Sequence, residues 1–258
     1  MWGAGSGFDN HMMTFTEVGH GFGLLQQGRI DEFLLIMFTT AKHCLSRGTF
    51  TAPESRNFGR ERAATMGKFG PPGYASPAQQ LLPQLFRWAL VLEEKQFMAA
   101  RRLAQSTNST DNTVNLHLAR GIPRAWLAHG EHLSVDSLPS SVGSVSYTLA
   151  WSDSHHLRVN VELAVGAATA CPLGTISLHL RLPPTLAVTS VSLRNQPFGG
   201  YSAAAEAILF EETDLRQGRV EFIVKVSAAT IPPVRIGSGS PSSAGGRLRT
   251  TMGTSSRR

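Results

Sequence analysis

Little in this chain can crosslink, chelate or cross a bilayer. It has two cysteines in 258 residues, Cys44 and Cys171, which excludes a disulfide framework and a cysteine-rich metal site. Its nine histidines show neither the H-x-x-x-H nor the H-x-H spacing that zinc sites use, so no metal is expected and no other cofactor either. No run of about 18 apolar residues exists, so no membrane-spanning helix is expected. The first ten residues are glycine-rich and lack the basic-then-apolar order of a secretory signal. A cytosolic chain and the interior piece of a longer secreted one both fit, and the compartment stays open. Charged residues make up 16% and apolar residues 41%, so the body of the chain has enough apolar matter to fold.

The acid-poor stretch is local. From Val234 to Arg258 there are five arginines and no Asp or Glu, against a net charge of +6 for the whole chain. The remainder is therefore close to neutral. The tail, with its Ser238–Gly246 run of glycine, serine and proline, reads as a disordered, solvated end. No basic helix or aromatic-interleaved patch points to specific nucleic-acid binding.

Residues 1–130 read as helical. Ile30, Phe33, Leu34, Met37, Phe38, Ala41, Cys44 and Leu45 follow the i, i+3, i+4, i+7 spacing of one helix face. Asp31 and Glu32 lie in its first turn, and Gly48 supplies the stop. A second helix opens at Ser76-Pro77-Ala78-Gln79, a capping box with proline at the first helical position. Leu81, Leu82, Leu85, Phe86, Ala89 and Leu92 share its face, Trp88 widens it, and Pro83 sits inside. The stretch from Glu93 to Arg102 is expected to continue this helix.

Residues 131–233 change to a period of two. Val145, Tyr147, Leu149 and Trp151 alternate with polar residues, as do Leu157 to Leu163, Ile176 to Leu182 and Val220 to Val226. Turn-forming clusters separate these runs. Alternation with one polar face predicts antiparallel sheets packed as a β-sandwich. The helices alone would expose more apolar surface than a soluble monomer tolerates. Either they pack on the sandwich, or further helices precede them, or they self-associate through exposed helical faces.

Several strings resemble the C-terminal part of six-hairpin glycosidase-like proteins, in which a toroid of paired helices precedes an antiparallel β-sandwich. They are Gly19-His20-Gly21-Phe22-Gly23-Leu24-Leu25, Gly28-Arg29-Ile30-Asp31-Glu32-Phe33, and Arg47-Gly48-Thr49-Phe50-Thr51-Ala52-Pro53-Glu54. Ser76-Pro77-Ala78-Gln79, Arg87-Trp88-Ala89-Leu90-Val91, the run from Leu116 to Leu127 and the turn Asn195-Gln196-Pro197 complete the set. The resemblance implies an α+β protein with a partial α/α toroid over residues 1–130, an antiparallel β-sandwich over 131–233 and a disordered basic tail over 234–258. It implies a glycoside hydrolase acting on carbohydrate. A full toroid has six hairpins and this chain has room for about two, so a truncated, N-terminally incomplete piece is expected. The alternative is a non-catalytic β-sandwich module that binds a glycan or a protein partner.

Glycoside hydrolysis needs a carboxylic acid and a carboxylate flanking the scissile bond. Glu54 is the leading catalytic candidate: it follows Pro53, neighbours Arg56, and lies among Thr49, Phe50 and Thr51. Pairing with Arg56 or Arg47 is the plain structural reading. Glu17 is the second catalytic candidate, beside His20 and the glycine-rich Gly19–Gly23 segment, which could bring backbone close to a sugar. His20, Arg56 and Trp88 are the substrate-binding candidates, Trp88 as a stacking platform or as core. Asp31 and Glu32 read first as partners of the helix dipole.

Overall fold

The computed structural model describes residues 11–13, 17–43, 45, 55–57, 76–95, 113–164 and 171–229. They form an α+β body of helices layered on two packed, mostly antiparallel sheets. The basic tail and Glu54 lie outside the described residues.

The helices are α1 (Glu17–Gln26), α2 (Ile30–His43) and α3 (Ser76–Leu90). The strands are β1 (His11–Met13), β2 (Ser55–Asn57), β3 (Val91–Lys95), β4 (Val114–Leu118), β5 (His132–Ser140), β6 (Gly143–Trp151) and β7 (His156–Ala164). They continue with β8 (Leu173–His179), β9 (Leu186–Leu193), β10 (Gln196–Pro197), β11 (Tyr201–Ser202), β12 (Ala207–Phe210) and β13 (Arg219–Ala228). One sheet runs β10-β9-β13-β7-β6-β5 and the other β11-β12-β8-β4-β3, while β1 pairs with β2 in a separate two-stranded ribbon. Within the two large sheets every pairing is antiparallel except β4 with β8.

The period-two residues fill the space between the sheets. Tyr147, Leu149, Leu157, Val159, Val161, Phe222 and Val224 face Val91, Leu116, Leu118, Ile176, Leu178, Ile208 and Phe210 in one apolar core. The strand turn is also local chemistry. Arg194 and Asn195 both take positive φ, 53° and 63°, as a two-residue hairpin loop demands. Pro197 follows in the short edge strand β10, where its missing N–H costs no ladder bond.

The sheet begins well before residue 131. The expected continuation of the second helix from Glu93 is incorrect over its described part: α3 stops at Leu90 and Val91–Lys95 is a strand, while residues 96–102 lie outside the described residues. Val114, Leu116 and Leu118 then alternate into the core as β4. The division of the chain into a helical 1–130 and a sandwich 131–233 therefore crosses the five-stranded sheet, two strands of which precede the boundary. Val91 and Leu92 explain the layering. Val91 joins the core between the sheets, and Leu92 joins a second cluster with Leu24, Leu25, Phe33, Met37, Leu81, Leu85 and Ala89. Adjacent strand residues point to opposite faces, so β3 carries one face to each core. The helices cover the outside of this sheet, which answers the apolar surplus within the described body. Leu35 and Phe38 remain exposed on α2.

Two local devices hold the helices in place. Arg29 N–H donates to the Leu24 carbonyl at 2.9 Å and Gly28 N–H to the Leu25 carbonyl at 3.1 Å. With Gly28 at φ 73°, these bonds close α1 as a Schellman cap and send the chain straight into α2. Arg87 of α3 donates to Glu93 at 2.6 Å and to the Pro139 carbonyl at 2.8 Å. Glu93 also accepts from the Ser141 N–H at 3.0 Å. Burial pushes the Glu93 carboxyl up, but hydrogen bonds from Ser141 and Arg87 outweigh it and hold the group below its usual range.

Among the described residues, three helices lie against the sandwich, and a ring of helical hairpins is not formed.

Candidate functional site

The outer face of the five-stranded sheet is only partly covered by helices, and the uncovered part is a cleft of about 670 Å³. Its floor follows from the strand register. His117 of β4 lies beside Ser177 of β8, and His179 of β8 lies beside Ala207 of β12. Their neighbours Leu116, Leu118, Ile176 and Leu178 point into the core, so these side chains must point outward. One wall is the α1–α2 connection and the start of α2, from Gly28 to Glu32. The opposite wall is the Ala203–Glu206 turn, with Arg124 and Arg181 at its margin.

The cleft is polar and ionic. Four guanidinium groups line it, Arg29, Arg120, Arg124 and Arg181, against the carboxylates Asp31, Glu32 and Glu206. Three of the four arginines are paired. Arg29 grips Glu32, whose carboxyl is held below its usual range by that hydrogen bond. Arg124 holds Glu206 through two bonds of 3.1 and 2.8 Å. Arg181, only 7% exposed, donates to Asp31 at 3.0 Å and to the Ile122 carbonyl at 2.9 Å. Arg120 differs. Its guanidinium meets His117 Nδ1 at 3.2 Å and the Gln26 carbonyl at 3.2 Å. Among the described residues no carboxylate lies within ion-pair distance of it. Burial lowers the Arg120 pKa, and Glu94 opposes that from a distance.

The hydrogen-bond partners assign the histidine tautomers. Arg120 can only donate, so His117 Nδ1 accepts, and His117 Nε2–H donates to Glu94 at 2.8 Å. His179 Nδ1–H donates to the Ala205 carbonyl at 3.3 Å, leaving Nε2 as its acceptor. That nitrogen is 3.5 Å from His117 Nδ1. Both rings are held neutral. Burial and the Arg120 charge lower His117, and the same two causes bring His179 down to about 3. In the unfolded chain His179 takes a proton near pH 6.5, its ordinary value. The unfolded state therefore binds more protons through the window from about 6.5 to about 3, and stability falls as the pH drops through it. His179→Asn is expected to flatten the stability–pH curve between pH 6.5 and 5. Identical slopes in urea melts of the two proteins would contradict this account.

Arg120 is aimed by a tight turn. Ala119 has φ 55°, a left-handed conformation that costs a non-glycine residue about 1 kcal/mol or more. The strain is held by bonds to the end of α3: Ala119 N–H to the Leu90 carbonyl at 2.9 Å and Gly121 N–H to the Ala89 carbonyl at 3.0 Å. Tyr147 caps the same Leu90 carbonyl with its hydroxyl at 3.0 Å.

The residues expected from the sequence to bind or react are not gathered here. Glu54 lies outside the described residues, and of Arg56 the structure gives the β2 backbone, paired with Met12. Glu17 is buried at the start of α1, with His20 Nδ1 3.1 Å away, and neither lines the cleft. The Gly19–Gly23 segment is helix, not a sugar-facing turn. A Cβ at Gly21 would stand 2.8 Å from Leu85 Cδ2, so this glycine serves close packing of α1 on α3. Trp88 packs its ring 5.1 Å from that of Phe22 beside the helical core, and does not reach the cleft. Asp31 and Glu32, read as dipole partners, do line it. His117, Arg120, His179 and Arg181 were not singled out. Their only signal was the polar phase of an alternating strand or the turn after it, which is also how an ordinary wet face reads.

Among the described residues no group of three or more His, Cys, Asp or Glu side chains could hold a metal ion. Comparison with protein-family models, with curated proteins and with solved structures finds no match to this chain. What fold and site define together is a class: a two-sheet sandwich with a helical layer on one face and a cationic cleft where that layer ends.

Proposed function

We propose that the chain is a glycoside-hydrolase-like protein whose described body binds carbohydrate in this cleft. The observation that carries the reading is the cleft itself. Its volume is that of a small-ligand site, and its lining of arginine, histidine, serine and carboxylate groups suits a ligand dense in hydroxyls. The helical layer is consistent with one toroid hairpin, because α1 and α2 are joined by only Gln27, Gly28 and Arg29.

Binding is favoured over hydrolysis within the described residues. Asp31, Glu32 and Glu206 are each engaged by an arginine, and the Arg29 hydrogen bond holds Glu32 below its usual range, which suits it poorly to donate a proton. A catalytic role for Glu54 or Glu17 would need a second carboxyl across the scissile bond, and Glu17 is turned to His20. The test is titration of the purified chain with neutral and acidic mono- and oligosaccharides, alongside hydrolysis of aryl glycosides. Saturable saccharide binding without turnover is expected. Turnover abolished by Glu54→Gln would establish the hydrolase instead, and no saccharide binding at all would remove the reading.

A further inference from the structure

We propose that Arg120 is the anchor of an oxyanion subsite, so that the cleft takes a polyhydroxylated ligand bearing a carboxylate, sulfate or phosphate. This rests on the carbohydrate reading for its scaffold but not for its charge. Four arginines and three carboxylates line the cleft, and among the described residues Arg120 is the one of the four that no carboxylate meets at ion-pair distance, Glu94 acting on it only from farther away. The other three arginines are already committed: Arg29 to Glu32, Arg124 to Glu206 and Arg181 to Asp31. A partly buried cation with no carboxylate in contact gains from an anion that docks directly on it. Arg120 is also fixed beforehand, by His117 Nδ1 and the Gln26 carbonyl, so little side-chain freedom remains to be lost on binding.

The neighbouring groups complete the chemistry. His117 is neutral and donates away from the cleft to Glu94, so it does not offer a competing positive charge. His179 is neutral with Nε2 left as an acceptor, which fits a ligand hydroxyl beside the oxyanion. Arg120 supplies forked donors to the anion, for which a guanidinium is better matched than an ammonium. A hydroxylated acid satisfies both groups at once; a neutral sugar leaves Arg120 unanswered.

Calorimetric titration of the full chain with glucuronate, glucose and inorganic sulfate tests this, with Arg120→Gln and Arg120→Lys as variants and their thermal melts as the folding control. Glucuronate is expected to bind at least about tenfold more tightly than glucose. Arg120→Gln should lose about tenfold or more of that affinity, the scale of one charge-assisted hydrogen bond, and Arg120→Lys should retain part of it. Equal affinity for glucose and glucuronate, unchanged in Arg120→Gln, overturns the oxyanion subsite while keeping the carbohydrate reading. Arg120-dependent binding of sulfate with no sugar binding upholds the subsite and overturns the carbohydrate reading. Failure of all three ligands to bind a well-folded chain overturns both.

Discussion

Replacing Gly121 with alanine is expected to destabilise the fold by about 3 kcal/mol, the upper end of what a single overpacked methyl costs. The new Cβ would stand 2.8 Å from the Ala89 Cα, 2.9 Å from Phe33 Cε1 and 3.1 Å from the Ala89 Cβ. Two of these neighbours belong to α3, whose last turn is tied to this loop by two backbone hydrogen bonds. The third is a fully buried ring of α2. No flexible side-chain end is available to yield, so the loop or the helix must move. Because Arg120 is the preceding residue, the displacement should reach the cleft, and ligand affinity should fall along with stability. Urea denaturation checks the first effect and titration the second. A Gly121→Ala protein within about 0.5 kcal/mol of the parent would mean that the helical layer does not sit this closely on the sheet.

Phe222→Ala should cost about 3–5 kcal/mol, the usual range for deleting a buried phenylalanine. Phe222 is fully buried on β13, with the rings of Phe198 and Phe210 centred 5.1 and 5.3 Å away in tilted packing. Phe210 comes from the opposite sheet, on β12, so the cavity would open across the mid-plane of the sandwich where neither layer can close alone. The effect should be one of stability and not of site geometry, since β13 belongs to the sheet on the far side from the cleft. Thermal melting followed by circular dichroism measures it. A midpoint close to that of the parent would place the ring at the surface and contradict the register of β13 on β9 and β7.

These two positions show what kind of information each level held. Phe222 was readable, because Val220, Phe222, Val224 and Val226 alternate without interruption and all four are buried. Gly121 was not. Its spacing carries no period, and its importance depends on Ala89 and Phe33, which are 32 and 88 positions away. The same contrast separates α2 from β3. The helical spacing from Ile30 held through Met37, whereas Val91–Lys95 was read into a helix because five residues are too few to reveal a period of two. Only its pairing with β4 decided the matter.

The amino-acid order by itself determined the sandwich: alternating apolar residues leave a sheet one buried face, and two such faces must meet. It also determined two helices with apolar stripes needing cover, from Ile30 and from Ser76, whereas α1 was hidden by its glycines. Which surface supplied that cover was a tertiary outcome, settled when β3 placed Val91 in one core and Leu92 in the other. The cleft was likewise decided by packing. Arg29, Arg120, Arg124 and Arg181 are spread over 153 residues of chain, and a charge carries no period from which its eventual neighbours could be read. Folding brings the four together and supplies acidic partners to three. Arg120, between the left-handed Ala119 and the closely packed Gly121, lines the cleft held by His117 and the Gln26 carbonyl.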